Sequence, residues 1–395
     1  MELVTIDAKL RTIIAILTTD DVHRQFRGNR ENFQDLVKTG EEMGAFVYVT
    51  TAKHLRPNQP RIFGYRYDSF AKSWVPGQFP LPRVVYNRIP YRKHEMLPEV
   101  QECLQACLHS KTMQLFNPGF FNKWTLFEWL GRAKTTKRYI PVTRKLTSIR
   151  ELELLLKSHP SLYLKPERGK AGKGIMKVQQ VVIKPAVKSK TVRREYWLTI
   201  QVEKASQTTK FAALPGIWSN IKQLVDDEEY IVQQGIPLTN YKKRPFDLRV
   251  LAQKTQKGEW DITGIGARVA GKTSITTHVP RGGSIDDPER LLATAFGADA
   301  SRRLLSRVRK AALLVARQIE KKSGYALGEM SLDLGIDTAG SIWFFEANAK
   351  PMKFDEPHIR KKSLERIIQY SLYLSKPKAK TTALPINTRT GLSGR

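Results

Sequence analysis

Only two cysteines, Cys103 and Cys107, occur in 395 residues. They stand four apart in a helical pattern beside Leu104 and Leu108, which reads as reduced residues on one helix face. That excludes a disulfide-built secreted scaffold and suits a cytoplasmic protein. A metal site there would lack ligands, since only His109 is close. No apolar run approaches the ~20 residues of a membrane span. The opening MELVTIDAKLRTIIAIL carries acids and no small-residue cleavage site, so it does not read as a signal peptide. Acids are scarce throughout: 37 Asp+Glu against 67 Lys+Arg leave a formal net charge of +30. None occurs between Arg168 and Arg194, and none after Glu365. A field of that size implies polyanionic partners, such as nucleotides, nucleic acid, acidic peptides or an anionic polymer. Helix-turn-helix, zinc-finger and RNP signatures are missing, which ranks nucleic acid last among them.

What is there is an ordinary globular content of hydrophobic residues, 41%, in a chain long enough for two or three subdomains. Residues 1–116 read as a small α/β domain. Strands are expected at 12–17 and 45–49, a helix at 32–43 and a hairpin at 61–75. The turn-rich PGQFPLP follows, then the strand RVVYNRIP and a helix over 95–110. Tyr86, Asn87 and Arg88 end a strand, a place where ligands lie in α/β sheets, although surface placement explains them as well. Residues 117–375 form the second unit, and 376–395 a basic, flexible tail.

The second unit carries the chemistry. Its key stretch is GEMSLDLGIDTAGSIWFFEANAKP, residues 328–351, read as two strands joined by a turn. Asp333 lies on the first strand. Glu346 and Asn348 are two apart on the second and share a face. Two carboxylates and an amide oxygen are hard donors that suit Mg²⁺. The same residues would also suit a hairpin turned to solvent. In LYLKPERGKAGKGIMKVQ, residues 162–179, a strand ends at Lys165 and a loop with Gly169, Gly172 and Gly174 leads to a second strand. Such a loop lets backbone N–H groups approach phosphate oxygens, with Lys165 as counter-charge; a flexible basic hairpin is the plainer reading. Lys170, Lys173, Lys177, Lys184, Lys188, Lys190, Arg193 and Arg194 extend that basic region.

Further on, EEYIVQQGIPL reads as an exposed linker strand whose backbone could meet an adenine edge, with Ile236 on the ring. RPFDLRVLAQ places Asp247 and Arg249 alternately on a strand. Residues 266–273, GARVAGKT, match the P-loop pattern letter for letter. That pattern works only between a strand and a helix N-terminus. The following SITTHVP is β-branched and reads as strand, so a P-loop is not expected. A long amphipathic helix fills most of 291–323, and a last helix 363–374. Lys123 sits in the first turn of a helix in NPGFFNKWTLFEWL.

Taken together, the order of Lys123, Lys165, glycine-rich flap, linker strand, Asp-x-Arg strand and Asp…Glu-x-Asn resembles the ATP-grasp superfamily, over residues 117–374. Whole phrases resemble the YheC/YheD endospore coat-associated proteins: LFNPGFFNKWTLFEWL, LYLKPERGKAGKGI, YIVQQGI, RPFDLRVL, VPRGGSI and FFEANAKPM. The resemblance implies an α/β fold of two subdomains clasping a nucleotide, behind a small N-terminal α/β domain. It implies ATP and one or two Mg²⁺ ions, the metal on Asp333, Glu346 and Asn348, the phosphates on Lys123 and Lys165. Gln233, Gln234, Ile236 and Asp247 fall where the nucleotide is held; PLTNYKKRP offers no ribose-binding acid before Asp247. Arg249, Arg268 and Arg281 fall where guanidinium groups would face the γ-phosphate and an acyl phosphate. The implied reaction is amide formation between a carboxylate, expected to be acidic, and an amine. A spore-forming bacterium and spore-coat partners are implied too. A non-catalytic coat protein on the same scaffold, or a basic nucleic-acid-binding protein, are the competing readings.

Overall fold

The computed structural model describes residues 11–169, 172–183 and 193–377. Lys170, Lys184, Lys188, Lys190 and the tail beyond 377 lie outside the described residues. Three six-stranded sheets organise the chain. The first has the order Ser73–Pro80, Arg61–Asp68, Ala45–Thr51, Thr12–Thr18, Val84–Asn87, Gln114–Phe116. Its last four strands run parallel, which is why Thr12–Thr18 and Ala45–Thr51 are apolar almost throughout: both faces are covered. PGQFPLP is not a turn, because the strand Ser73–Pro80 runs through most of it. Two prolines are tolerated there because this strand is the sheet's edge, where one row of N–H groups has no partner to lose. The helix expected over 95–110 begins at Pro98, a residue preformed for a first turn, and a short helix Arg92–Glu95 precedes it. Cys103 and Cys107 are free and buried on its inner face.

The second sheet is antiparallel throughout: Ala205–Phe211, Arg193–Val202, Met176–Ile183, Ser161–Pro166, Tyr230–Gln234, Thr143–Lys145. Alternation divides its faces. Leu162, Leu164, Val178 and Leu198 pack with Leu152, Leu155, Ile217 and Ile221 of the helices Ile149–Ser158 and Leu214–Val225. Tyr163 and Lys165 therefore point the other way.

The third sheet has the order Ser284–Asp286, Trp260–Val269, Arg244–Lys254, Glu329–Ile336, Ile342–Asn348, and its sixth strand, Asn240–Tyr241, pairs with the start of Arg244–Lys254. The helix Ala298–Ser323 covers one face, with Val308, Ala312, Val315 and Ile319 against Leu248, Val250, Leu332 and Leu334. The expected single helix is two, Pro288–Phe296 and Ala298–Ser323, divided at Gly297, whose φ of 86° is one that side-chain-bearing residues avoid. GARVA lies in the strand Trp260–Val269, and no helix follows GKT. SITTHVP is not a strand. Gln201 of the second sheet accepts from Ser274 Oγ and Ile275 N, both at 3.0 Å, so side chains rather than a neighbouring strand satisfy this segment.

The last helix, Pro357–Ser375, returns to the start of the chain. Leu364, Ile367, Ile368 and Tyr370 share a core with Ile14, Ile16, Phe33 and Val47. Asn117, just past the first sheet's strand Gln114–Phe116, fastens that sheet to the acidic hairpin. Its Nδ2 donates to Glu329 O at 2.8 Å and to Ala349 O, and its Oδ1 accepts from Gly328 N at 2.7 Å. Asn87 and Arg88 are also drawn into this junction rather than left at the surface. Asn87 Nδ2 donates to Pro118 O, and Arg88 pairs with Glu329 at 3.1 Å.

Candidate functional site

The second and third sheets face each other across a cleft of about 850 Å³, counting the part open to solvent. Strand register builds its floor. In the third sheet Arg249 pairs with Asp333, and Asp333 with Glu346, so three charged side chains share one level and one face of the sheet. One level on, Arg268 pairs with Asp247. The opposite face is the apolar one under the helix Ala298–Ser323. A register shift between Asp333 and Leu334 leaves Phe345 unmatched between Phe344 and Glu346, and both Phe345 and Glu346 line the cleft.

Charges on this floor are paired. Arg268 donates to Asp247 through Nε at 2.9 Å and Nη2 at 2.7 Å, and its Nη2 lies 2.9 Å from Asp333. Thr277 Oγ1 donates to Asp247 at 2.6 Å. Burial alone would push the Asp333 carboxyl up; Arg268 and Arg249 outweigh it and hold the group below its ordinary value. Asp333 Oδ1 is buried and, among the described residues, has no hydrogen-bond partner. A buried carboxylate oxygen left unbonded beside the Glu346 carboxylate is a fitting place for a hard divalent cation. Among the described residues no three His, Cys, Asp or Glu gather as ligands, so a metal here would draw on Asp333, Glu346, and an amide or phosphate oxygen. Asn348 continues the Glu346 face opposite Ser331 but does not line the cleft.

The lysines come from separate elements. Asn122 caps the helix Lys123–Gly131 by accepting from Thr125 N at 3.0 Å, which fixes Lys123 at its start. Lys123 Nζ reaches Glu346 Oε1 at 3.0 Å and the Gly169 carbonyl at 3.0 Å, bridging floor and flap. Lys165 Nζ donates to Gln233 Oε1 at 2.6 Å, and Gln233 Nε2 donates to Thr143 Oγ1 at 2.9 Å. Burial pushes the Lys165 ammonium down to about 8. Gly169, Gly172, Gln233, Gln234, Ile236 and Asp247 also line the cleft, so ten expected residues converge: these six with Lys123, Lys165, Asp333 and Glu346.

Five do not reach its lining. Gly174 takes φ +74° just behind the flap, with its carbonyl accepting from Tyr230. Arg268 is spent on the two aspartates. Arg249 lies over the Phe354 ring at 4.9 Å. Arg281 stands against the flap, its Cγ 3.4 Å from where a Cβ on Gly172 would be. Asn348 is the fifth.

Sequence reasoning passed over Tyr163, Thr276, Thr277, His278 and Phe345, all in the lining. Tyr163 could have been found, because it is two residues before Lys165 on the same strand face. Thr277 and His278 could not, being hidden in a β-branched run that mimics a strand. Burial, then Arg268, keep the His278 imidazole below its ordinary pKa.

Comparisons with known proteins agree on the family. The family model described as YheC/D like ATP-grasp matches residues 112–374. The endospore coat-associated protein YheD of Bacillus subtilis (strain 168) is 28% identical over 366 residues, covering 90% of this chain and 77% of the relative. The endospore coat-associated protein YheC of the same strain is 23% identical over 321 residues, covering 80% and 84%. Among solved structures, D-alanyl-alanine synthetase A from Vibrio cholerae aligns over 93% of this chain and 99% of its own, with a TM-score of 0.52 and 13% identity. At that identity the likeness concerns the fold, which is the ATP-grasp arrangement of facing α/β subdomains. Among the described residues no helix is long and apolar enough to cross a membrane.

Proposed function

We propose that this chain, which belongs to the YheC/D-like ATP-grasp family, is an ATP- and Mg²⁺-dependent ligase joining a carboxylate to an amine. The observation that carries the reading is convergence. Two lysines from different subdomains and two carboxylates on neighbouring strands meet in one cleft under a glycine-bearing loop. Lys123 and Lys165 hold the phosphates, and the loop of Gly169, Gly172 and Gly174 folds over them. Gln233, Gln234 and Ile236 border the adenine, and Asp247, engaged by Arg268 and Thr277, lines the same cleft.

The substrate carboxylate oxygen attacks the γ-phosphorus, the bond to the β-phosphate oxygen breaks, and ADP leaves. The amine nitrogen then attacks the acyl carbon, phosphate departs with the bonding pair, and the nitrogen loses its proton. Mg²⁺ on Asp333 and Glu346, with Asn348 adjacent, supplies neutralisation of phosphate charge when bound. The chain's own part is placement and charge: Lys123 and Lys165 stand in the cleft where phosphate oxygens would lie, while Arg249, Arg268 and Arg281, outside its lining, add positive field around it. The basic balance of the whole chain favours an acidic carboxylate substrate. The names of the two relatives support a role in endospore coat formation, with other coat proteins as partners.

The test is the melting temperature with ATP, with and without Mg²⁺, for the wild type and the Asp333→Asn/Glu346→Gln variant. Ligand binding to the folded state raises it as ln(1 + [L]/Kd). A Mg²⁺-dependent rise, lost in the variant, is expected. No rise in either protein would leave a coat protein on an inherited scaffold as the better reading.

A further inference from the structure

We infer that the exposed face of the helix Ala298–Ser323 is a docking surface for the phosphate backbone of double-stranded nucleic acid. Arg303, Arg307, Lys310, Arg317 and Lys321 are all exposed on this helix. Their spacing is i, i+4, i+7, i+14 and i+18. At 100° per residue they fall within roughly 80° of arc, in a row about 27 Å long at 1.5 Å per residue. The helix is held rigidly. Its opposite side is buried on the third sheet through Val308, Ala311, Ala312, Val315 and Ile319.

Among the described residues, none of the five has a carboxylate within ion-pairing distance or an aromatic ring beneath it. Arg302, beside the row, pairs with Asp299, which shows what local compensation would look like. Five uncompensated cations on one fixed ridge repel one another, and a polyanion relieves that repulsion by displacing its own counterions.

The row's composition selects among polyanions. Leu305, Leu313 and Leu314 are half-buried against the core, so the ridge has no exposed apolar residue. A bilayer surface takes an apolar helix face, and a protein partner needs a buried apolar centre. Single strands are held by stacking on aromatic rings, and the row carries none. Three of the five are arginines, whose planar fork matches phosphate. A duplex backbone requires only such a positive ridge. A row about 27 Å long spans roughly eight base pairs at 3.4 Å per step on each strand. The surface is built by the outer helix of the third sheet, on the face opposite Asp333 and Glu346, so it does not depend on the ligase reading.

The experiment measures binding of a fluorescent 24-base-pair duplex by anisotropy between 50 and 200 mM KCl. Three proteins are compared: the wild type, Arg303→Gln/Lys310→Gln/Arg317→Gln, and a control with Lys53→Gln/Lys72→Gln/Lys111→Gln, equal in net charge. In the ridge variant the slope of log K against log salt should fall by about 2.7, at about 0.9 per phosphate contact. The control should keep the wild-type slope. All six positions are exposed, and unchanged melting temperatures verify folding. Equal losses in both variants would reduce the effect to net charge and overturn the assignment. So would absence of duplex binding, or tighter binding to poly-glutamate or to anionic vesicles than to the duplex.

Discussion

One guanidinium, that of Arg268, bridges Asp247 and Asp333, carboxylates on adjacent strands of the third sheet, at 2.7 and 2.9 Å. All three residues are nearly buried. Removing the arginine would leave two buried charges uncompensated, so Arg268→Ala should cost about 3–5 kcal/mol in urea unfolding at pH 7. Arg268→Lys, which cannot serve both carboxylates in a fork, should lie between. A loss below about 1 kcal/mol for the alanine variant would mean that the bridge contributes little.

The Lys165 ammonium makes a pH prediction. Its folded value, about 8, lies below the ordinary 10.5. The sign follows from proton counting: between those values the unfolded chain holds more protons, so stability rises as pH goes from about 8 toward 10.5. Below 8 the charged group bears its full burial penalty. Nucleotide binding needs that charge and runs the opposite way. ATP affinity should weaken as pH rises above about 8, and isothermal titration from pH 6.5 to 9.5 would reveal it. Lys165→Met should lack the inflection and bind about 10- to 100-fold more weakly, the value of a charged hydrogen bond.

Gly172 tests the flap. Its φ is +73°, and an added Cβ would stand 2.8 Å from His278 Cδ2. Gly172→Ala combines left-handed strain of about 1–2 kcal/mol with that collision. ATP affinity should fall about 5- to 30-fold. Adding His278→Ala removes the collision but not the strain, so part of the loss should return. Equal Kd values for wild type and Gly172→Ala would mean that the flap takes no part in binding.

Asn117 can be tested by stability alone. Asn117→Ala strips partners from the backbone of Gly328, Glu329 and Ala349, all at a buried junction. A cost of about 2–4 kcal/mol is expected from lost hydrogen bonds and unsatisfied peptide groups. Its φ of 53° disfavours alanine further, so Asn117→Gly should recover the backbone part only. Unfolding curves for the two variants separate these terms.

The local chemistry was readable from the chain. Alternation in LYLKP puts Leu162 and Leu164 on one strand face and Lys165 on the other, and in the structure the leucines lie in a core while Lys165 lines the cleft. Glu346 was equally legible as a polar group on an apolar strand. The level of Arg249 beside Asp333 was not, because register between strands some eighty residues apart in sequence is fixed by tertiary pairing. Nor was the destination of Arg268. An arginine near phosphate-binding residues looks free in a sequence, and only the folded sheet brings Asp247 and Asp333 to it. Misread PGQFPLP and SITTHVP share one cause. Local propensity lost in each to what lies alongside: an open sheet edge for the first, the Gln201 amide for the second.

The helix Pro357–Ser375 has a consequence for how this protein is made. Strands such as Thr12–Thr18 leave the ribosome long before residue 357, yet part of the apolar cover of their core, Leu364, Ile367, Ile368 and Tyr370, lies on this late helix. At roughly 5–20 residues per second the wait is some tens of seconds. Throughout it, the first sheet's core lacks those four side chains and carries a partly uncovered apolar face, a natural target for a chaperone. A ribosome stalled before residue 357 should hold the first sheet unfinished and sensitive to protease.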